Sequence, residues 1–115
     1  MLQFAVDVIL YLRTVKNTLE IMDIKRQLIK AVTSTGANYE EVQGAITIPD
    51  KKSKMSISLK EIRESHFFLK VFLRLKQGDT GKCQQLVKEG SELKRILASI
   101  LNKLSTLLLL FIPSL

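Results

Sequence analysis

Between Ile21 and Ile46 the apolar residues Ile21, Ile24, Leu28, Ala31, Val32, Val42, Ala45 and Ile46 recur at helical spacing. Their three- and four-residue steps place them on one helical face, so the stretch predicts a single long amphipathic helix. Its middle, Thr33-Ser34-Thr35-Gly36-Ala37-Asn38, is small or polar throughout, and the glycine costs about 1 kcal/mol relative to alanine inside a helix. Small side chains let a neighbouring helix approach closely, and Ser, Thr and Asn can hydrogen-bond across that contact. Ser34, Gly36, Ala37 and Asn38 are therefore the expected helix-packing residues; a ligand or catalytic role for Ser34 or Asn38 is the alternative.

Helical spacing recurs along the chain. Phe4, Ala5, Val8, Ile9, Leu12 and Val15 predict a first helix over about 2–16, followed by the long helix over about 20–47. A third, over about 51–76, carries Met55, Leu59, Ile62, His66, Leu69 and Leu73 on one seam, with Asp50 or Ser53 available as its N-cap. Phe68, Phe72 and Leu75 form a second seam, with Phe67 and Val71 beside it. Two seams imply burial on two sides, which a lone bundle of this size seldom requires, so Phe67, Phe68 and Phe72 are candidate contacts between subunits. Gln77-Gly78-Asp79-Thr80-Gly81 is the strongest loop signal: Gly78 suits a helix C-terminus and Thr80 the next N-cap. A fourth helix over about 81–111 keeps Leu86, Gly90, Leu93, Leu97, Ile100, Leu104, Leu107 and Phe111 at heptad spacing.

With 115 residues, two prolines and no apolar–polar alternation, the chain reads as one all-α domain. Short connections make consecutive helices antiparallel, giving an up-down-up-down four-helix bundle. The apolar C-terminal end, from Leu107 to Ile112, falls well short of the roughly 20 residues of a membrane span. It is expected to be buried or to pack on another subunit through Leu107, Leu108 and Phe111. Met1 to Leu12 has no basic leader, and the single cysteine fits a reducing cytoplasm.

The sequence carries no catalytic constellation. One histidine, without Glu-x-x-His spacing, cannot build the ligand set of a di-iron bundle. His66 lies on an apolar seam and is expected to be a core histidine bonded to a small polar group of the second helix. Cys83 sits in the first turn of the fourth helix, where the helix terminus lowers a thiol pKa, but no base is at hand. No phosphate loop is present. The reading is non-enzymatic, with no metal and no cofactor.

Charge is the remaining signal. Eighteen Lys and Arg against eleven Asp and Glu give +7. Lys25, Arg26 and Lys30 cluster on the first half of the second helix. Lys51, Lys52 and Lys54 crowd the start of the third, where the helix dipole disfavours cations. These six are the candidate nucleic-acid contacts, although folding the two helices into a hairpin brings Lys54 within reach of Glu41. Tyr11 and Tyr39 are the only candidates for stacking on bases, and both fit core-edge positions equally well, so backbone-phosphate binding is favoured over reading of single strands.

Residues 27–45, with Asn38-Tyr39-Glu40-Glu41-Val42-Gln43-Gly44-Ala45, and the segment from Lys51 to Ser65 resemble the bacterial four-helix-bundle family, also called 23S rRNA intervening-sequence proteins. Phe4-Ala5-Val6 and the stretch from Leu93 to Leu101 fall where that family has its first and last helices. The resemblance implies the same bundle, a homo-oligomeric ring typically of five subunits, and a connection to structured RNA. The expected function is thus a cytoplasmic oligomer that binds structured RNA or other nucleic acid. The alternative is an interaction scaffold or accessory subunit for a protein partner, its positive charge incidental.

Overall fold

The computed structural model describes residues 1–110, and these are all-α. Four helices follow one another: α1 (Leu2–Leu12), α2 (Leu19–Gly44), α3 (Ile48–Arg74) and α4 (Thr80–Leu110). Among the described residues there is no strand, and no helix is long and apolar enough to cross a membrane.

Local hydrogen bonding sets the boundaries. α1 stops four residues before the expected 16, because the Thr14 and Val15 N–H groups bond to the Tyr11 and Leu12 carbonyls at 2.8 and 3.1 Å and tighten the last turn. Thr18 caps α2, accepting from the Ile21 N–H at 3.3 Å. α2 ends at Gly44 rather than 47, since Thr47 belongs to the next helix: its extended backbone and hydroxyl, accepting from the Asp50 N–H at 3.2 Å, make it the N-cap of α3. Asp50 and Ser53 are therefore not caps. Pro49 and Asp50 lie in the first turn, where a proline sacrifices no helical bond and an acid complements the dipole.

The α3–α4 connection departs from expectation in an instructive way. Lys76, not Gly78, takes the left-handed position after α3, at φ 53°. Its N–H bonds to the Leu73 carbonyl and that of Gln77 to Phe72, closing a Schellman motif. Gly78 is also left-handed, at φ 62°, and it lies hard against the α1–α2 loop: a Cβ there would sit 2.5 Å from Thr14 Oγ1. Asp79, rather than Thr80, caps α4 by accepting from the Lys82 N–H at 3.1 Å. Its own N–H donates to the Thr14 hydroxyl at 2.9 Å, and the Tyr11 hydroxyl donates to the Gln77 carbonyl at 2.7 Å. The two loops at this end are thereby fastened together.

Backbones approach between α1 and α2, α2 and α3, α3 and α4, and α4 and α1, so α1 faces α3 across the core. This accounts for the burial of Phe72 without a second copy, while Phe67 and Leu75 of the same seam stay exposed. One helix meets α2 on one side and α4 on the other, and Leu69 and Phe72 are both fully buried inside the chain. Phe72 meets Tyr11 edge-on at 6.2 Å. Phe72 is therefore a core residue and not a subunit contact.

The small-residue stretch of α2 also divides differently. Ala31, Val32 and Thr35 are buried, and the buried Ser58 hydroxyl of α3 donates to the Thr35 carbonyl at 2.8 Å. Ala37 is exposed, and a Cβ on Gly36 would meet nothing within 4 Å. Both border a recess of about 340 Å³ shared with Leu2 and Ala5 of α1. The Asn38 amide turns back to Ser34 within its own helix, at 2.9 Å to the carbonyl and 3.2 Å to the hydroxyl. Within the chain the α2–α3 crossing runs through Thr35 and Ser58. His66 is buried, but it faces α4: it packs on Gly90, and its Nδ1 lies 3.4 Å from Lys94 Nζ.

Candidate nucleic-acid interface

Most of the six cations singled out from the sequence have work within the chain. The Lys25 ammonium donates to the Val15 carbonyl at 2.6 Å and to Asn17 Oδ1 at 2.7 Å, closing the α1–α2 loop. Lys51 donates to the Val42 carbonyl at 2.9 Å, on the last turn of α2. Lys54 pairs with Glu41 at 3.0 Å, and that hydrogen bond and charge raise its pKa. Lys51 and Lys54, which oppose the dipole of α3, therefore complement the negative C-terminus of α2 packed beside them, and their positions have an internal cause. Arg26 stands 3.9 Å from Asp23, both exposed. Lys52 is half-buried at the start of α3, and Lys30 is exposed.

A different set of cations lines the outer face of α3. Lys60, Arg63, Phe67, Lys70 and Arg74 follow steps of three and four residues, so they share one helical face, and all are exposed. Among the described residues none of these cations forms an ion pair; the two pairs present are Arg26–Asp23 and Lys54–Glu41. The stripe covers about 21 Å at 1.5 Å per residue, a length over which one duplex strand presents about six phosphates. Beside it Phe67, Val71 and Leu75 form an apolar ridge at four-residue steps. Ridge and cations together enclose a recess of about 350 Å³. The stripe's members are scattered in the sequence at three- and four-residue steps, so no run of adjacent charges marks them.

Lys30 of α2 reaches the edge of this face, bordering a recess with Lys60, Glu61, Glu64 and Phe68. Burial and the neighbouring Glu64 raise the Glu61 pKa, while Lys60 and Lys30 pull it back. Phe68 is half-buried and meets Phe67 edge-on at 5.6 Å. Of the other candidate subunit contacts, Leu107 is exposed and Leu108 half-buried, while Phe111 lies outside the described residues.

The reactive groups are placed for structure. Cys83 is fully buried, its thiol donates to the Leu69 carbonyl at 3.4 Å, and burial pushes its pKa up, opposite to the expected effect of the helix terminus. Tyr11 is buried as well, and that burial, with Cys83 and Asp79 nearby, raises its pKa; it cannot stack on a base. No group of three His, Cys, Asp or Glu side chains that could hold a metal occurs among the described residues.

Residues 1–99 match the model of a protein family described as 23S rRNA-intervening sequence protein. The fold is similar to a crystal structure from Bacteroides thetaiotaomicron, described as a protein of unknown function from the S23 ribosomal protein family. That protein is 25% identical, the match covers 87% of this chain and 93% of the other, and the TM-score is 0.76. No curated protein matches.

Proposed function

The chain belongs to the 23S rRNA-intervening sequence protein family, and from that premise we propose that it is a non-enzymatic, oligomeric helical-bundle protein that binds structured RNA. Contact is made through backbone phosphates laid along α3. The observation that carries this reading is the cationic face of Lys60, Arg63, Lys70 and Arg74, which forms no ion pair among the described residues. Phosphate contacts of this kind supply most of the affinity in non-sequence-specific binding. A net charge of +7 draws polyanions to the surface and speeds encounter.

In this reading the helices run up-down-up-down and several copies associate in a cytoplasmic ring, five being the number that the family resemblance implies. The outer face of α1 supports association: Leu2, Val6 and Leu10 stand exposed at four-residue steps, with Met22 and Ile29 exposed on neighbouring α2. Because α1 lies across the core from α3, a ring joined there leaves the cationic faces outward. Repetition of one weak face then multiplies avidity. The same exposed apolar face favours a second reading, in which a protein partner docks on α1 and α2.

The test is a charge-reversal variant, Arg63→Glu/Lys70→Glu/Arg74→Glu, compared with wild type for binding to a labelled RNA hairpin at low salt. All three positions are exposed, so helicity and melting temperature are expected to hold while affinity falls at least tenfold. Unchanged affinity in the folded variant contradicts the assignment. A nuclease-insensitive pull-down of one protein, lost on Leu2→Asp/Val6→Asp, would move the function to the second reading.

A further inference from the structure

Phe67 is the unusual member of the α3 face. A phenylalanine 58% exposed, in the middle of a cationic stripe, gains nothing from the core. Its ring meets that of Phe68 edge-to-face, with centroids 5.6 Å apart, and more than half of the residue's surface stays open to solvent. The ridge continues through Val71 to Leu75, itself 50% exposed, and Lys70 and Arg74 stand along its rim. An apolar floor with two guanidinium or ammonium groups at its edge suits the two halves of a nucleotide: base on the floor, phosphate on the rim. A smooth duplex would use only the rim, since its bases are stacked inside.

We propose that Phe67, with Val71 and Leu75, forms a stacking surface for an unpaired base of the RNA whose phosphates lie on Arg63, Lys70 and Arg74. This rests on the phosphate-binding reading of α3 and adds to it a preference for single-stranded or bulged segments over perfect duplex. Base–aromatic stacking contributes roughly 1–3 kcal/mol per base by alanine substitution, about 5- to 150-fold in affinity, and it tolerates any base sequence.

The experiment uses two labelled RNAs, a blunt-ended duplex without loop or bulge and the same duplex with a single-stranded tail carrying 2-aminopurine. Wild-type protein is expected to bind the tailed RNA more tightly and to change the 2-aminopurine fluorescence. Phe67→Ala is expected to weaken tailed-RNA binding by at least fivefold, abolish the fluorescence change, and leave duplex binding within twofold. Phe67→Trp is expected to restore both. Equal binding of the two RNAs by wild type without a fluorescence change overturns the stacking surface while leaving phosphate binding intact. Failure to bind either RNA at low salt removes both readings. A Phe67→Ala variant that shifts sedimentation but not RNA affinity would assign the ring to an interface between copies, and a poorly folded variant would leave the wild-type fluorescence to decide.

Discussion

The Ser58 hydroxyl, fully buried in α3, donates at 2.8 Å to the backbone carbonyl of Thr35 in α2, 23 residues earlier in the chain. This bond sits where α2 and α3 pack closely, and a larger side chain at either position would separate them. Ser58→Ala removes the bond while leaving the close approach, and it is expected to cost about 1 kcal/mol. Ser58→Leu adds bulk to a packed contact and is expected to cost about 1–3 kcal/mol. Urea denaturation reads both; unchanged midpoints would show that the crossing is held elsewhere.

Two glycines are expected to respond in opposite directions. At Gly36 a methyl group meets open space within a regular helix, so Gly36→Ala should stabilise by about 0.5–1 kcal/mol. At Gly78 the backbone is left-handed, and the same methyl lands against Thr14 and Val15. Gly78→Ala should therefore destabilise by about 2 kcal/mol or more, through the left-handed penalty and the clash together. Thermal unfolding of both variants checks the pair.

His66 gives a pH dependence whose sign follows from its surroundings. Burial, then Lys94 and Lys70, lower its pKa below 6.5, with a backbone contact from Val87 opposing them. Above pH 6.5 the ring is neutral in both states and contributes no slope. As pH falls through 6.5 the unfolded chain takes up a proton that the folded chain resists, so stability falls until pH passes below the lowered folded value. Glu61, with its raised pKa, acts in the opposite sense in the carboxylate range. Comparing wild type with His66→Gln cancels that contribution. Between pH 7.5 and 5.5 the wild-type urea midpoint is expected to drop more than that of His66→Gln; equal drops contradict the assignment.

Cys83 is expected to be inert in the native protein. Its thiol is buried, bonded to Leu69 and shifted away from the thiolate. Alkylation should run at least about 100-fold slower than for a free thiol and follow opening of the α4 N-terminus. Full reactivity in denaturant, with rapid labelling of the folded protein excluded, is the expected pattern.

The four helices were legible because apolar spacing is periodic and the chain contains few breakers. The Lys54–Glu41 pair was legible too, since hairpin geometry follows from the position of the α2–α3 connection. The caps were not. Thr47, Asp79 and Lys76 act through local hydrogen bonds and one left-handed backbone, and several neighbouring residues offer the same chemistry. Charge was harder to read for a related reason. Lys51, Lys52 and Lys54 look like one patch, but Lys51 and Lys54 bond to Val42 and Glu41 of α2, which only packing brings beside them. The stripe from Lys60 to Arg74 is scattered in sequence and becomes a surface only when wound on the exposed side of α3. Phe72 and Phe67 show the same limit: both stand on an aromatic-rich segment, and the arrangement of α1, α2 and α4 around α3 decides which is core.

The most direct test of phosphate contact along α3 is the salt dependence of RNA affinity, measured with nuclease-treated protein at about 50 and 200 mM salt. Four phosphate contacts predict a log–log slope of about 3.6 and roughly 100-fold weaker binding at the higher salt, with the slope reduced in Arg63→Glu/Lys70→Glu/Arg74→Glu. Affinity that ignores salt, or no binding at the lower salt by a folded protein, would contradict an RNA-binding function for this face.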